Sequence, residues 1–270
     1  MEVAEGRPAD SATARGNIRF EGVRKVYREA RGEPVPALER IDLELPGDHS
    51  FISLIGPSGC GKSTLLKLLA GIEQPTEGTV TCRGQRVTGI NTRISYVPQG
   101  KGLFPWMTLR DNIELPLKIA GLGAAERARR ADEWLGLVEL RGFENHFPRQ
   151  LSGGMEKRGS LARALIADRP VSLMDEPFGP LDAQTRLTLQ QHLLGLWEKL
   201  RNTVVFVTHD LVEAIALSDL IVVFSPRPGR ILEVVKVPLP RPRDVLTVYD
   251  YEGFNALYKP LQRMLLRDRA

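Results

Sequence analysis

The hydrophobic pattern of the chain predicts a parallel β-sheet. Three short apolar runs stand out, and a segment with helical spacing follows each of them; the runs are FISLIG at 51–56, VSLMD at 171–175 and TVVFVTH at 203–209. Such runs are typical of buried parallel strands that are joined by crossover helices. LIVVFSP and RILEVVKVPL follow the third run and predict a fourth and a fifth strand. We therefore expect an α/β core.

Alternating patterns precede the first apolar run. Apolar and polar residues alternate in NIRFEGVRKVY, which starts at Asn17, and in ALERIDLEL, so both segments predict half-exposed strands. The turn-rich REARGEPVP connects them, and together they indicate a small antiparallel β-subdomain. Residues 1–16 are small and polar without periodicity, and we expect them to form a disordered N-terminal tail.

Helical spacing dominates the middle and the end of the chain. Residues from about 100 to 165 include GAAERARRADEWLGLVEL and predict a helical subdomain inserted into the α/β core. Residues 182–200 predict a core-facing helix with one apolar stripe. The stripe consists of Leu189, Leu193, Leu196, Trp197 and Leu200. The C-terminal tail, 241–270, also has helical spacing, but we expect Pro260 to break or kink that helix.

Composition and charge exclude several classes of protein. With 42% hydrophobic and 26% charged residues the chain is typical of a globular protein, and a net charge of +4 is too small to predict nucleic-acid binding. The basic end of the tail, with Arg263, Arg267 and Arg269, favours the solvated face of a packing helix over a lipid contact. Cys60 and Cys82 lack CxxC spacing, which favours reduced thiols. No apolar run is long enough to span a membrane, so we expect a soluble chain.

The segment after the first predicted strand has the pattern of a phosphate-binding loop. GPSGCGKST satisfies G-x-x-x-x-G-K-[ST] between a strand and a helical segment, so backbone N–H groups and the helix N-terminus can converge on one anion. Lys62 would contact the β- and γ-phosphates of a nucleotide, and the Ser63 hydroxyl would bind Mg²⁺. The alternatives are a glycine-rich turn without a ligand and, for Cys60, either a reactive thiol or a space-filling side chain. The loop consists of Gly56, Pro57, Ser58, Gly59, Cys60, Gly61, Lys62, Ser63 and Thr64.

Two carboxylates and a histidine follow the other predicted strands. Asp175 and Glu176 lie at the end of the second run, where an acidic residue beside a phosphate loop can bind Mg²⁺ directly or through water. We assign the metal to Asp175 and the position of a general base to Glu176, against the alternative of an exposed turn. His209 ends the third run, where a neutral imidazole can donate to the γ-phosphate.

The motifs occur in the order found in the ATP-binding subunits of ABC transporters. Tyr27, GPSGCGKS, Gln99 in YVPQG, LSGGM, MDEP, GPLDAQTR and VTHD follow one another within residues 17–235, and together they resemble this family. The resemblance implies a RecA-like P-loop NTPase core, with the antiparallel β-subdomain and the inserted helical subdomain, in an ATP-binding domain over 17–240. It also implies that two copies close head to tail around ATP.

The resemblance assigns roles to residues that the pattern alone leaves open. Tyr27 would stack on adenine, and Gln99 would contact the metal and the attacking water; without the family, each would be an ordinary strand or loop residue. Asp182 would lie at the seam between the two copies, and it can also cap its own helix. His209 would be the switch histidine that senses the γ-phosphate.

A second candidate anion site, the signature turn, consists of Ser152, Gly153 and Gly154 in QLSGGMEKR. The resemblance implies that this turn binds the γ-phosphate of ATP held by the other copy, so that each chain carries two half-sites. Glu156 departs from the family pattern, and its carboxylate would compete with phosphate for the helix N-terminus. We expect a weaker signature contact or a Glu156 side chain that is turned away. Pro180, where Ala is commoner, would stiffen the seam loop.

Finer features are similar to one subgroup of the family. GLFPWMTLRDNIELPL and SPRPGR resemble the importer ATPases for nitrate, sulfonate, taurine and related solutes. This resemblance implies ATP and Mg²⁺ as ligands, a transmembrane permease as partner and, indirectly, a solute-binding protein. It places the chain peripherally on the cytoplasmic face of the inner membrane. The apolar string from Leu103 to Met107 would either receive a helix of the permease or pack within the helical subdomain.

Two other functions use the same phosphate loop. A soluble ABC ATPase of DNA repair or of ribosomes would usually carry coiled coils, a second ATPase unit or a zinc module, and the sequence shows none of these. A small-molecule kinase would leave LSGG and His209 unexplained. We therefore expect an ATPase that drives the import of a small solute.

Overall fold

The strands and helices follow the predicted pattern in most places. The computed structural model describes residues 17–28, 32–100, 102–179, 181–200 and 202–267. The strands are β1 (Ile18–Tyr27), β2 (Val35–Leu45), β3 (Phe51–Ile55), β4 (Glu77–Cys82), β5 (Gln85–Arg86), β6 (Ile94–Val97), β7 (Val171–Asp175), β8 (Thr203–Val207), β9 (Leu220–Phe224) and β10 (Ile231–Lys236). The helices are α1 (Lys62–Ala70), α2 (Leu109–Ile119), α3 (Ala124–Leu137), α4 (Gly153–Leu165), α5 (Ala183–Leu200), α6 (Leu211–Leu217) and α7 (Phe254–Arg267). The predicted tail at 1–16, Pro180, Arg269 and the side chain of Arg267 lie outside this description.

The central sheet has six strands in the order β10-β9-β3-β8-β7-β6. Strands β9, β3, β8, β7 and β6 are parallel, and β10 is antiparallel to β9. The parallel strands therefore end at one edge of the sheet, and this edge carries the loops that follow β3, β7 and β8. The α/β core that the apolar runs predict is therefore present. Strand β6 lies at the edge of this sheet, and its four residues were too few to predict it from the pattern.

Both faces of the central sheet are covered. Along β3, Phe51 and Ile55 pack on the side of helices α2–α7, whereas Ile52 and Leu54 pack on the side of α1 and the antiparallel sheet. All five residues of β3 are buried, which explains why the strand is a continuous apolar run. The antiparallel sheet has the order β2-β1-β4-β5, so the predicted β1–β2 pair gains two strands that the pattern did not indicate.

Helix α7 runs through Pro260, so the predicted break is absent. Proline removes one backbone hydrogen bond from a helix interior. The helix nevertheless buries Phe254 and Leu261 in the core that contains α6. We attribute the continuity of α7 to this apolar packing, because tertiary contacts commonly override local propensity.

A buried arginine joins the segment before α7 to the end of α6. Arg243 is 3% exposed, and its guanidinium donates to the carbonyl oxygens of Ser218 (2.6 Å) and Leu239 (2.8 Å), with longer bonds to other carbonyls nearby. Burial lowers the pKa of Arg243 to about 10. The side chain satisfies backbone acceptors that would otherwise be buried without donors.

A buried carboxyl group joins α5, α6 and the end of β8. Glu213 accepts hydrogen bonds from the amide of Gln190 (2.7 Å) and from the Thr208 hydroxyl. Burial raises the pKa of Glu213 to about 7, with Asp210 acting in the same direction and Arg186 against it. The folded protein therefore holds the Glu213 proton more tightly than the unfolded chain does.

Replacing Arg243 tests its contribution to stability. Arg243→Met should lower the free energy of unfolding by about 2–3 kcal/mol, because several buried carbonyls lose a charged donor. Denaturant unfolding followed by circular dichroism measures this change. Arg230→Met is the matched control, because Arg230 is exposed and pairs with Glu39 at the surface. Equal losses in the two variants would contradict the role of Arg243.

The raised pKa of Glu213 predicts a pH dependence of stability. Its stabilising contribution is fully present below the unfolded pKa, near 4.5, and is lost as the pH rises through about 7. Glu213→Gln cannot titrate, so the difference in unfolding free energy between wild type and variant should shift against wild type between pH 5 and pH 8. Denaturant titrations at both pH values check this, and a difference that is independent of pH would refute it.

Candidate functional site

The phosphate loop connects β3 to α1 at the edge where the parallel strands end. Gly61 precedes the helix with φ 102°, in the left-handed region. A Cβ atom on Gly61 would lie 2.5 Å from Cδ2 of Leu38 and 2.8 Å from the carbonyl oxygen of Ala37. Backbone conformation and close packing against β2 therefore both require glycine at this position.

Lys62 is held within the loop. Its ammonium donates to the carbonyl oxygens of Gly56 (2.8 Å) and Pro57 (2.9 Å), and the residue is 4% exposed. Cys60 is buried beside it, with Sγ 3.5 Å from the Lys62 nitrogen. The loop therefore keeps one positive charge where the α1 N-terminus also attracts anions.

Ser63 and Asp175 meet although they lie far apart in the sequence. The Ser63 hydroxyl donates to Oδ1 of Asp175 (2.8 Å), and the Tyr96 hydroxyl donates to Oδ2 (3.3 Å). Burial raises the pKa of Asp175, and these two hydrogen bonds oppose that rise. Burial and the neighbouring Asp175 raise the pKa of Tyr96. A hydroxyl and a carboxylate supply the hard oxygen donors that Mg²⁺ prefers, so this pair fits the metal.

Glu176 lies between two polar side chains. Its Oε2 accepts a hydrogen bond from the Gln99 amide (3.0 Å) and lies 3.6 Å from Nδ1 of His209. Glu176 has φ 43°, a left-handed conformation that is costly for a residue with a side chain. Such a cost at a candidate general base is typical of functional sites.

A cleft of about 330 Å³ brings most of the predicted residues together. Tyr27 lies at this cleft with the phosphate loop from Ser58 to Thr64, and so do Gln99 and Glu176. Arg227, in the SPRPGR segment, also lines the cleft, and no sequence pattern singled out this residue. An aromatic ring, a phosphate loop and a carboxylate in one cleft can hold a base, its phosphates and a water molecule.

The signature turn lines a different cavity, of about 600 Å³. Ser152 caps α4 by accepting from the backbone N–H of Met155 (3.3 Å), and Gly153 and Gly154 form the first turn of α4. Asp182 lines the same cavity. The two cavities have no lining residue in common, so the signature turn and the phosphate loop do not face one space within this chain.

Asp182 caps its own helix, as its position before α5 suggested. Its carboxylate accepts from the backbone N–H of Thr185 (3.0 Å). This hydrogen bond lowers the pKa of Asp182, so the cap is charged at neutral pH.

Glu156 and Lys157 line a third cavity, of about 580 Å³, together with Gln99, Glu176 and His209. Glu156 is absent from the lining of the signature cavity, but it shares the third cavity with Gly153 of the signature turn. One Glu156 carboxylate oxygen is buried without a hydrogen-bond partner among the described residues. Burial lowers the pKa of Lys157, and the charge of Glu156 opposes this shift.

Comparison with known proteins identifies the family. The model of the ABC transporter family matches residues 38–179, which is just over half of the 270 residues. The uncharacterized ABC transporter ATP-binding protein MJ0412 of Methanocaldococcus jannaschii is 46% identical over 84% of this chain and 84% of its own length. The aliphatic sulfonates import ATP-binding protein SsuB of Bacillus cereus is 44% identical over 93% of this chain and 96% of its own length.

Solved structures agree with this assignment. A dimeric ATP-binding cassette, MJ0796, in a post-hydrolysis state bound to ADP and Pi, superposes with a TM-score of 0.73 at 34% identity, over 82% of this chain and 98% of its own. A second dimeric structure of the same cassette gives 0.73 at 35% identity. In the part of the chain that is described, no helix has the length and apolar character needed to cross a membrane. The predicted P-loop NTPase fold is confirmed, and the chain belongs to the ABC transporter family, among its ATP-binding proteins.

Proposed function

We propose that this protein binds and hydrolyses ATP and thereby energises the import of a small solute through a separate membrane permease. The observation that supports the ATPase most strongly is the cleft in which the phosphate loop and Glu176 lie together, above the Ser63–Asp175 pair. The solved cassette bound to ADP and Pi supports the same reaction, and the sulfonate-import relative supports the direction of transport.

The cleft suggests how ATP binds. Adenine would stack on Tyr27, and the phosphates would lie on the backbone N–H groups of the loop, with Lys62 at the β- and γ-phosphates. Ser63, Asp175 and Gln99 would hold Mg²⁺, which would supply positive charge beside the phosphate oxygens. To contact phosphate, the Lys62 ammonium would exchange its bonds to loop carbonyls for phosphate oxygens, which keeps the buried charge satisfied.

Three side chains would carry out hydrolysis. Glu176 would accept a proton from the attacking water, and Gln99 would orient that water because its amide already lies 3.0 Å from the same carboxylate. His209 would donate to the γ-phosphate from the other side of Glu176. Their positions at the ends of β6, β7 and β8 fix these groups on rigid elements.

A second copy would complete each site. The signature turn and Asp182 line a cavity separate from the ATP cleft, so one chain offers two incomplete surfaces. Two copies placed head to tail would set Ser152, Gly153 and Gly154 of one chain on the γ-phosphate held by the other. The dimeric cassettes support this arrangement.

An aromatic patch offers a docking surface for the permease. Phe104 and Trp106 lie 5.3 Å apart between ring centroids, and Trp106 is 72% exposed. Asn112 holds the segment by accepting from the Phe104 N–H (2.7 Å) and donating to its carbonyl (3.1 Å). Exposed aromatic side chains on an ordered segment are typical of protein interfaces.

The named relatives guide the finer assignments. The solute would be an aliphatic sulfonate or a related small anion such as nitrate or taurine, delivered by a solute-binding protein. The subunit would lie peripherally on the cytoplasmic face of the inner membrane. A soluble ABC ATPase outside transport is the less favoured candidate, because the relatives include import proteins at 44% identity.

Removing the proposed base tests the ATPase. Glu176→Gln should lower the turnover number by about 10²–10⁴-fold, because the amide cannot accept the proton. ATP should still bind and should shift the variant to a dimer, as measured by phosphate release, nucleotide titration and light scattering. The matched control Glu233→Gln changes an exposed strand residue and should retain wild-type turnover. Undiminished hydrolysis by Glu176→Gln would refute the assignment of the base.

Removing the exposed indole tests the docking surface. Trp106→Ala should reduce co-purification with the proposed permease partner by at least about tenfold, because central aromatic anchors carry much of the binding energy. Ile90→Ala is the control, since Ile90 is 71% exposed in a different part of the chain. Equal recovery of permease with both variants would exclude this patch.

Uptake of a labelled aliphatic sulfonate by the reconstituted complex would test the identity of the solute.

A further inference from the structure

We propose that Lys157 is a positioning residue that holds the Gln99 backbone on helix α4, so that Gln99 reaches Glu176 and moves with the signature turn. This inference rests on the proposed ATPase and names the contact that links its two half-sites. Neither the phosphate-loop pattern nor the signature pattern assigns a role to this lysine.

The contact itself is short and buried. The Lys157 ammonium donates to the carbonyl oxygens of Gln99 and Gly100, at 3.0 Å each, and the residue is 6% exposed. These two carbonyls are the hydrogen-bond acceptors of Lys157 among the described residues. A buried ammonium needs such acceptors, because an unsatisfied charge in the interior is costly. The lysine and the Gln99 loop are therefore held together.

Gln99 is consequently held at both ends. Its backbone is bound to α4 by Lys157, and its side-chain amide donates to Glu176 at the end of β7 (3.0 Å). A donor–acceptor separation of about 3.6 Å is already too long for a hydrogen bond. A displacement of α4 by about 1 Å relative to the central sheet is thus enough to break the Gln99–Glu176 contact or to form it again.

A second cation on α4 holds the other end of the same segment. The Arg163 guanidinium lies over the Phe104 ring, 4.6 Å from its centroid, and donates to Oδ1 of Asn112 (3.3 Å). Asn112 in turn binds both backbone groups of Phe104. Gln99 and Phe104 are therefore both attached to α4, and a force on the exposed aromatic patch reaches Glu176 through α4 and Gln99.

A double-mutant cycle tests whether Lys157 acts through Gln99. Lys157→Met retains the aliphatic stem and removes the donors, and it should lower kcat about tenfold while nucleotide Kd changes by less than about twofold. Adding Lys157→Met to Gln99→Ala should cost no further activity, because the group that it positions is already gone. If the losses of kcat in the two single variants multiply in the double variant, Lys157 acts independently of Gln99 and the proposal is overturned.

Further variants separate positioning from stability. Lys157→Gln keeps a side-chain amide donor, so it should recover part of the kcat that Lys157→Met loses. If Lys157→Gln recovered thermal stability but not kcat, the proposal would be contradicted. Lys199→Met replaces an exposed lysine on α5 and should match wild type. Activity is measured below the midpoint of thermal unfolding of each variant. If Lys157→Met does not fold, the double-mutant cycle is run with Lys157→Gln. If the wild-type protein does not hydrolyse ATP, the proposed ATPase function is refuted. If it does, and the effects of Lys157→Met and Gln99→Ala on kcat multiply, only the role of Lys157 is refuted.

Discussion

Parallel pairing of β3, β8 and β7 is the constraint on which the site depends. The strands pair in register, with Leu54 opposite Val207 and Asp175 opposite the same residue. The pairing continues beyond the strands, since the Glu176 N–H donates to Val207 (3.0 Å) and the Thr208 N–H donates to Leu54 (3.2 Å). The phosphate loop is thereby set beside the two carboxylates and His209, although more than a hundred residues separate the loop from them in sequence.

Buried cations that bind backbone carbonyls recur at the places where segments join. Lys62 binds the phosphate loop, Lys157 binds the Gln99 loop and Arg243 binds the end of α6. Each cation is removed from water and depends on a particular backbone arrangement for its hydrogen bonds. Apolar side chains can shift slightly and stay packed, but a buried cation strongly favours the one backbone arrangement that supplies its hydrogen bonds. These contacts therefore hold the joined segments in one arrangement.

Local pattern was sufficient for the central strands and for the phosphate loop, because burial on both faces and glycine-dependent turns leave a signal within a few residues. Local pattern was insufficient for elements and side-chain positions that depend on contacts between residues far apart in the sequence. Strand β6 has only four residues, and β4 and β5 depend on pairing with β1. Tyr96 contacts Asp175, and Lys157 contacts Gln99, across intervals that no periodicity describes. Pro260 gave the wrong expectation of a break because packing outweighed the lost backbone bond. Catalytic roles inferred from motif position stay predictions.

The separation of the ATP cleft from the signature cavity has a kinetic consequence. With a head-to-tail pair as the active species, the rate of hydrolysis by the isolated chain rises with the square of its concentration when copies are dilute. A permease that binds two copies replaces this dependence with a fixed effective concentration, commonly in the millimolar range for tethered partners. Chains that are not assembled on a permease would then consume little ATP, and the membrane complex would set the reaction order as well as the direction of transport.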